Sequence, residues 1–417
     1  MNGRVLDRLK NALIVLLLLC IVVLTLMALP PGVVQSLRLP PEAMRLLGIP
    51  VNAAMQPVQS TQAAAAAQPL LISVRSGAGR GTAQRSFAAL DQMRERLTPL
   101  LAEALRTASA PQSAETEDFC DALSRSSVLF DYGAALPVEA VGDWLGAENA
   151  SLRGLSRRFL LAERDGKVEL YCLGETCDRR TTEISAAELA EALEAYPPDG
   201  SVFFAEEEPR ADVPDLLILR ESAVSLPNAV AESPEEENFA ESVATLLNFN
   251  PYGAGVYADA DGNSVFTENN RSCTVSPDGM IVFSDTEDAD PGADAAESGA
   301  SVKIETVRAL AASIAALVQN DARLYLCGWE EDGALTRCRF RYVLDGVPIL
   351  PDAITATFRG PHLTEFRFTV RSCYTGVSRI SLLPLPQAAA IAEPGKALTA
   401  AYHDSGRGTL TAGWVQS

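Results

Sequence analysis

The longest uninterrupted apolar stretch lies near the start of the chain. Ala12 to Leu29 contains no charged side chain, and its length is close to the roughly 20 residues that an α-helix needs to cross a bilayer. Arg4, Arg8 and Lys10 precede this run, and the first basic residue after it is Arg38. Basic residues mark the cytoplasmic side of a span. The sequence therefore predicts a single-pass protein of the cell membrane, with its N-terminus in the cytoplasm and its body outside the cell.

A cleaved signal peptide is the alternative interpretation of this segment. The apolar region of a signal peptide usually has about 7–15 residues and ends in small side chains at the cleavage site. Here the apolar run is longer and leads into Leu29-Pro30-Pro31. The pattern therefore favours a helix that stays in the membrane as an anchor.

Mixed helix and strand patterns begin near residue 70, after a stretch rich in proline and alanine that is typical of a stalk. Apolar side chains from Phe87 to Leu105 recur at helical spacing on both sides of Pro99, which predicts a helix that the proline kinks or splits. The apolar runs Phe159 to Ala162 and Val168 to Cys172 flank Asp165-Gly166. This dipeptide is a strong signal for a tight β-hairpin.

A second set of elements is predicted after residue 230. Ser233-Pro234-Glu235-Glu236 matches a helix capping box with proline at the first helical position, and it leads a helix that carries Phe239 and Val243 on one side. Turn signals then separate four short strands of a predicted meander, around Val256, Val265, Thr274 and Ile281.

The last predicted hairpin turns at Asp332-Gly333, and a turn centred there sets Cys327 opposite Cys338. The same register predicts two further pairs, Tyr325 with Phe340 and Trp329 with Thr336. We expect the Cα atoms of the two cysteines to lie about 4.5–5.5 Å apart, within the range that a disulfide tolerates. The sequence leaves open whether the two thiols are oxidised.

Arginines occupy the opposite side of this predicted sheet. They alternate with apolar residues along the second strand of the hairpin and along a strand further on, at Arg337, Arg339, Arg341, Arg367 and Arg371. Two interpretations are open. The arginines form either an ordinary solvated or helix-covered sheet face, or a docking surface for a carboxylate-rich partner.

The charge balance argues against nucleic acid as a partner. The chain has 34 basic and 54 acidic residues, of which three bases and one acid precede the apolar run, so the part predicted to lie outside has 31 bases, 53 acids and a net charge of −22. Such a surface repels nucleic acid and anionic lipid heads. Seven of the eight cysteines also lie outside the span, an odd number that cannot pair completely within one chain.

Residues for catalysis or metal binding are sparse. The two histidines, His362 and His403, lie in no metal or nucleophile signature. Cys172 and Cys177 have no histidine nearby, which leaves a zinc site unsupported. The stretch from Asp259 to Asn263 resembles a calcium loop, but its glycine stands fourth rather than sixth, and a hairpin turn explains it better. The sequence predicts no enzyme, no cofactor and no metal.

Together these patterns predict an α+β protein with an N-terminal transmembrane helix followed by two mixed α+β lobes with antiparallel sheets. The predicted boundaries are 1–11 for a cytoplasmic tail, 12–29 for the transmembrane helix, 30–69 for an extracellular stalk, 70–230 for the first lobe and 231–417 for the second.

The order of these features resembles the YycH and YycI regulatory proteins of Gram-positive bacteria, which accompany the WalK/WalR cell-wall two-component system. The resemblance covers most of the chain and rests on the pattern of strands and short helices. Its segments are Ser127 to Gly146, Phe159 to Gly174, Gly255 to Phe283, Arg339 to Ile349, Leu382 to Ala392 and a terminal strand that ends at Trp414.

The resemblance implies a regulator without enzymatic activity. Its span would contact the spans of a WalK-like sensor histidine kinase, and its ectodomain would join a second YycH/YycI-type regulator outside the cell. The sign of the regulation is not implied. A surface-tethered enzyme that acts on the cell envelope and a passive wall-binding module are the alternatives.

Overall fold

The computed structural model describes residues 68–203, 224–253, 255–286, 299–393, 396 and 398–416. The predicted cytoplasmic tail, the predicted span 12–29 and nearly all of the predicted stalk lie outside these ranges. Within the described ranges, no helix combines the length and the apolar character that a membrane crossing requires.

The first half contains seven strands and four helices within the described residues. The strands are β1 (Leu71–Ser76), β2 (Gly79–Gln84), β3 (Gln112–Ala114), β4 (Ser127–Pro137), β5 (Leu155–Arg164), β6 (Lys167–Leu173) and β7 (Cys177–Ser185). The helices are α1 (Phe87–Thr107), α2 (Thr116–Leu123), α3 (Val138–Trp144) and α4 (Ala186–Glu194). The strands form one antiparallel sheet in the order β2-β1-β4-β5-β6-β7-β3.

Helix α1 in the first half forms where local sequence signals predict a helix. Its N-cap, Ser86, accepts a hydrogen bond from the backbone amide of Ala89 at 3.4 Å, and Leu90, Leu97 and Leu101 are buried at helical spacing. The helix runs through Pro99 without a break, so the alternative in which the proline splits it is wrong. Pro99 is exposed, and water can reach the backbone carbonyl that the proline leaves without a donor.

The second half contains thirteen strands and three helices within the described residues. The strands are β8 (Ser225–Glu232), β9 (Val256–Ala258), β10 (Ser264–Glu268), β11 (Arg271–Val275), β12 (Met280–Asp285), β13 (Arg323–Asp332), β14 (Leu335–Leu344), β15 (Val347–Leu350), β16 (Ile354–Arg359), β17 (His362–Thr369), β18 (Ser372–Ser381), β19 (Leu398–Asp404) and β20 (Gly408–Gln416). The helices are α5 (Phe239–Leu246), α6 (Ala300–Ala315) and α7 (Leu385–Ile391).

These strands form one mixed sheet in the order β18-β8-β20-β19-β15-β14-β16-β17-β12-β11-β10-β9, with β13 paired to β14. The pairing of β15 with β19 is parallel, and the other neighbours are antiparallel. The α+β class with antiparallel strands is confirmed, as is the meander of β9 to β12.

The predicted start of helix α5 is wrong. The helix begins at Phe239, with Asn238 at its N-cap, and not at Pro234. Ser233, the predicted capping residue, instead accepts a hydrogen bond from Nη1 of Arg371 at 3.2 Å. Pro234 packs so closely against Gly279 that a Cβ at position 279 would lie 2.5 Å from its ring. Tertiary contacts therefore override the local capping signal.

The predicted register of the β13–β14 hairpin is also wrong. Cys338 pairs with Trp329, and Leu326 pairs with Phe340, with a bulge that leaves Cys327 without a partner in the ladder. The two residues between the paired ends are Gly333 and Ala334, because Asp332 pairs with Leu335. Cys327 and Cys338 are therefore not cross-strand neighbours, and both are free thiols.

The two sheets share one core. A single cluster of buried side chains includes Leu97 and Phe159 of the first half and Phe340 and Phe366 of the second. Strand β8 lies entirely in the second sheet and begins at Ser225, so this sheet starts before the predicted boundary at 230. The two sheets therefore pack against each other through this cluster, and the division into two lobes stays a prediction.

Candidate functional site

Strand β14 divides apolar and basic side chains between its two faces. Cys338, Phe340 and Tyr342 are buried in the core, while the alternate residues Arg339, Arg341 and Val343 line a cleft on the other side. The observed pairing differs from the predicted one by two residues from Gly328 to Asp332 and, beyond the bulge, by one residue from Arg323 to Leu326. The one-residue shift moves Tyr325 opposite Arg341 instead of Phe340. The faces of β14 follow from the alternation of its own residues, so its arginines stay opposite Cys338.

The five predicted arginines do not form one face. Arg337 and Arg367 are exposed on the sheet surface, and Arg339 and Arg341 point into the cleft. Arg371 lies beyond the end of β17 and is buried, where its Nε donates to Asp404 at 2.9 Å. Its Nη1 also donates to the backbone carbonyl of Asp278. Arg371 therefore fastens internal segments together.

The cleft lies between the two sheets and has a volume of about 670 Å³. One wall is formed by the middle of β4, from Asp131 to Ala135, and by the start of β5. The other wall is formed by β13, β14, β15, β19 and β20. Small-molecule sites typically have volumes of roughly 300–1,000 Å³, so the space can hold a ligand of that class.

A break in the β4–β5 ladder opens the first wall. The register shifts between Asp131 and Leu136, so the residues between them leave the ladder. Gly133, within this break, has φ +74°, and a Cβ there would lie 2.6 Å from a methyl carbon of Leu70. Glycine is therefore required at this position, both by the left-handed backbone and by the close approach of Leu70.

Asp131 holds two arginines at the break. It accepts from Nε of Arg158 at 2.7 Å and from Nε of Arg157 at 3.2 Å, and the backbone amide of Gly133 donates to it at 2.7 Å. Burial by itself would raise the pKa of Asp131, but the two guanidinium groups and the amide hold that pKa well below its ordinary value. Asp131 is therefore a permanent anion at neutral pH.

The second wall carries a similar cluster, with arginines on β14, Glu330 on β13 and Asp352 between β15 and β16. Asp352 accepts from Nε of Arg341 at 2.8 Å and from Nη1 of Arg339 at 3.4 Å. Glu330 accepts from Nη2 of Arg339 at 2.8 Å and forms an ion pair with Arg337 at 3.7 Å. The guanidinium of Arg339 lies over Gly328, where a Cβ would approach its Nε to 2.7 Å. Glycine at 328 therefore allows Arg339 to lie flat against the strand.

The bulge places Cys327 beside this second cluster. Its thiol donates to Asp352 at 3.3 Å. Burial raises the pKa of Cys327 to about 12, so the thiol is protonated at neutral pH and is a weak nucleophile. No histidine is among the described residues that line the cleft, and no group of His, Cys, Asp and Glu in the described part of the chain is arranged to hold a metal ion.

The lining of the cleft is basic although the chain is acidic. Five arginines line it, Arg85, Arg157, Arg158, Arg339 and Arg341, against three acids, Asp131, Glu175 and Glu330. Asp352 pairs with Arg339 and Arg341 beside the lining and is a fourth acid, so the arginines exceed the acids by one, in a protein whose net charge is −20. The cleft is therefore much less acidic than the chain as a whole.

A set of contacts beside the cleft, which we call the clamp, joins β13 of the second sheet to helix α1 and Gln68 of the first half. Arg323 on β13 forms an ion pair with Asp91 on α1 at 2.8 Å, and its guanidinium lies 4.0 Å from the centre of the Phe87 ring. The hydroxyl of Tyr325 donates to the side chain of Gln68 at 2.6 Å. Gln68 lies just before β1, which begins at Leu71, so this clamp reaches the point where the polypeptide enters the first sheet.

Sequence patterns predicted only part of this site. Arg339 and Arg341 were singled out by their alternation with apolar residues, whereas Asp131, Arg157, Arg158 and Asp352 were missed. The adjacent pair Arg157-Arg158 at the start of a predicted strand was an available signal in an acidic chain. Which acid these two arginines contact depends on the pairing of β4 with β5, whose paired residues are distant in sequence.

Comparisons with known proteins identified no relative of this chain. No protein-family profile, curated protein or solved structure matches the chain. The resemblance to the YycH and YycI proteins therefore stays a prediction from the sequence pattern.

Proposed function

We propose that the protein is a membrane-anchored extracytoplasmic regulator that modulates a cell-wall sensor histidine kinase. It acts through its transmembrane helix and through contacts of its ectodomain. Its partners are a WalK-like kinase, contacted through the span, and a second YycH/YycI-type regulator, contacted through the ectodomain.

The make-up of the cleft carries the proposal of binding rather than catalysis. Most of its charged side chains are arginine and carboxylate groups that pair with one another. Catalysis by proton transfer or nucleophilic attack needs a group whose pKa is tuned near the working pH or an activated nucleophile. The Cys327 thiol, with its pKa raised to about 12, is neither. A charged cleft of this kind is suited to recognise a partner or ligand.

The clamp supplies a physical route from the cleft towards the membrane. Gln68 accepts hydrogen bonds from Tyr325 at 2.6 Å and from Arg323 at 3.2 Å. Both donors belong to β13, which also forms part of the cleft wall. A binding event that shifts β13 would therefore pull on the segment that leads back to the predicted span.

Span exchange in the native host tests the proposal. Ala12 to Leu29 is replaced by an unrelated apolar span of equal length, and phosphorylation of the response regulator is measured in membranes. We expect modulation of the kinase to disappear while the protein stays in the membrane. Tyr325→Phe should reduce the modulation with the native span, because it removes the hydroxyl that donates to Gln68. Tyr257→Phe, at an exposed tyrosine, is the matched control. Full modulation by the exchanged protein would refute the proposed route through the span.

A further inference from the structure

Two strands line the cleft with successive residues. All six residues from Tyr325 to Glu330 on β13 line it, and so do all five from Asp131 to Ala135 on β4. On β14, in contrast, only alternate residues line the cleft, Arg339, Arg341 and Val343. Successive side chains of a strand point to opposite faces of its sheet, so a cleft that lay against one face of β13 would touch every second residue. The cleft therefore reaches the edges of β13 and β4, where a strand presents its backbone.

One edge of β13 has no partner strand, because β13 pairs with β14 alone among the described residues. On β14, the backbone carbonyl of Phe340 accepts from the amide of Ala353 at 2.8 Å, on the side of β16. In an antiparallel ladder such a residue forms a non-hydrogen-bonded pair with the strand on its other side. These pairs with β13 are Phe340 with Leu326 and, two residues along, Cys338 with Trp329. The backbone groups of Leu326 and Trp329 therefore point away from β14, and both residues line the cleft.

The opposite wall has a similar gap in its strand pairing. The ladder of β4 with β1 ends at Asp131, and its ladder with β5 resumes only at Leu136, so residues 132–135 belong to neither ladder. Backbone N–H and C=O groups in folded proteins are nearly all hydrogen-bonded, to protein or to water. An extended polypeptide offers donors and acceptors along its edge and can add to a free strand by backbone hydrogen bonds. Both walls are thus suited to an occupant with a polypeptide backbone.

The side chains of the cleft favour an uncharged segment. Asp131 pairs with arginines on the first wall and Asp352 with arginines on the second, so a charged occupant would compete with existing ion pairs. Leu155, Leu398 and Trp414 also line the cleft, and Leu155 is 44% exposed. Removing such surface from water favours an occupant with apolar side chains. An uncharged segment in which apolar residues alternate meets both conditions.

The position of the β13 edge favours one extended segment over a second copy of this chain. The cleft lies between the two sheets, and the side chains of Leu326 and Trp329 are buried, so the edge is recessed. A whole molecule with its own sheet has less access to a recessed edge than one extended chain. Two copies of a protein with a net charge of −20 would also repel each other.

We infer that the cleft binds an extended, uncharged segment of a partner protein, which adds to β13 as a further strand. Its backbone bonds to the outward groups of Leu326 and Trp329, and its apolar side chains pack against Leu155, Leu398 and Trp414. This inference deepens the proposed function by naming how the ectodomain holds a partner. It rests on the binding role proposed for the cleft, and the identity of the kinase plays no part in it.

The probe is the capped hexapeptide acetyl-Thr-Val-Thr-Val-Thr-Val-amide, which is uncharged and has alternating apolar side chains. Its control has the same sequence with a methyl group on the backbone nitrogen of every residue, which removes these backbone donors. Binding to the purified full-length chain in lipid nanodiscs is measured by isothermal titration calorimetry, with empty nanodiscs as the blank. We expect saturable binding of the hexapeptide and binding at least about tenfold weaker for the methylated peptide, because several backbone hydrogen bonds are lost.

Amide hydrogen exchange locates the bound peptide on the wild-type chain. The hexapeptide should slow exchange in β13, because amides on its free edge gain acceptors. Strand β18, at one end of the second sheet, is the matched control. Its exchange should not change.

A variant that fills the cleft tests the site. Ala134→Phe adds a ring at a lining position on β4 and should abolish binding of the hexapeptide. Ala334→Phe is the matched control, since Ala334 is exposed in the β13–β14 turn and lies outside the cleft lining. It should bind like the wild type. Circular dichroism checks that both variants fold, and the methylated peptide and hydrogen exchange test the wild type if Ala134→Phe does not.

Four results would overturn the inference. They are no saturable binding of the hexapeptide, equal binding of the two peptides, slower exchange in β18 instead of β13, and binding that a folded Ala134→Phe leaves unchanged. Self-association in sedimentation velocity that Ala134→Phe abolishes would assign the cleft to a second copy and would overturn it as well. Since no kinase is present, such a failure is distinct from a failure of the span-exchange experiment.

Discussion

The two arginine clusters on opposite walls of the cleft have similar chemistry and different exposure. Asp131 and Arg158 have side chains only 11% and 2% exposed, whereas Glu330 and Arg339 are 51% and 39% exposed. A buried ion pair leaves an uncompensated charge when one partner is removed, while water replaces the lost partner of an exposed pair. The first wall is therefore a fixed structural support, and the second wall can change partners at low energetic cost.

Removing the Asp131 charge should give the largest effect. Asp131→Asn leaves Arg157 and the buried Arg158 without their shared anion, and we expect the free energy of unfolding to fall by about 3–5 kcal/mol. Urea denaturation of the full chain in detergent, followed by circular dichroism, measures the change. A loss below about 1 kcal/mol would be typical of an exposed ion pair. It would contradict the conclusion that the first wall is fixed and the second is not.

Lowering the pH should show the contribution of Asp131 to the stability of the wild type. The folded-state pKa of Asp131 lies below its ordinary value, so its carboxylate stabilises the fold fully above an unfolded pKa of about 3.9. This contribution is lost as the pH falls through the folded-state value. The unfolding free energy of the wild type should therefore fall more steeply below about pH 4 than that of Asp131→Asn. Parallel pH profiles would contradict the assignment.

An intermediate effect is expected on the second wall at Asp352. Its side chain is 17% exposed and pairs with Arg341, which is 28% exposed. Asp352→Asn should lower the unfolding free energy by about 1.5 kcal/mol, the lower end for hydrogen bonds to charged groups, because both arginines can turn to water. The same denaturation experiment tests it. A loss as large as that of Asp131→Asn would show that the second wall is equally fixed.

The smallest effect is expected at Glu330. Its pairs with Arg337 and Arg339 are half-exposed, and exposed ion pairs contribute roughly 0–1 kcal/mol. Glu330→Gln should change stability by less than about 1 kcal/mol, and the difference from the wild type should shrink further in high salt. A change that persists at 1 M salt, where the Debye length is about 3 Å, would indicate a role beyond charge pairing.

The two Asp-Gly turns show which part of the fold sequence patterns can predict. Asp165 and Gly166 both have positive φ, at 51° and 83°, and they are the two central residues of the predicted β5–β6 hairpin. Gly333 also has positive φ, at 60°, but it is the first central residue of its turn and Ala334 is the second. The same dipeptide therefore supports two turns whose positions differ by one residue.

Apolar alternation could not choose between these two registers of β13 and β14. Moving the turn by one residue changes the cross-strand partners of Gly328 to Asp332 by two positions, which returns these side chains to the predicted face. The bulge leaves a shift of one residue from Arg323 to Leu326, so Tyr325 pairs with Arg341 and not with Phe340. The faces of Cys338 and Arg339 are set by alternation along β14 and are common to both registers. The pairing of Cys338 with Trp329, and the bulge at Cys327, depend on contacts with the other strands and with the first sheet.

The sequence by itself determined the elements whose signals are local. These include α1 with its buried leucines, the β5–β6 hairpin, the β9–β12 meander and the alternation of arginines along β14. Only the tertiary structure decided which arginines meet which acids. Asp131 and Arg158 are 27 residues apart and pair where the β4–β5 ladder breaks. Arg371 donates to Ser233 across 138 residues, so that Ser233 does not cap the helix. Such pairings depend on how the sheets pack, because a charged side chain can form an ion pair or hydrogen bond only with a group that packing places within bonding distance.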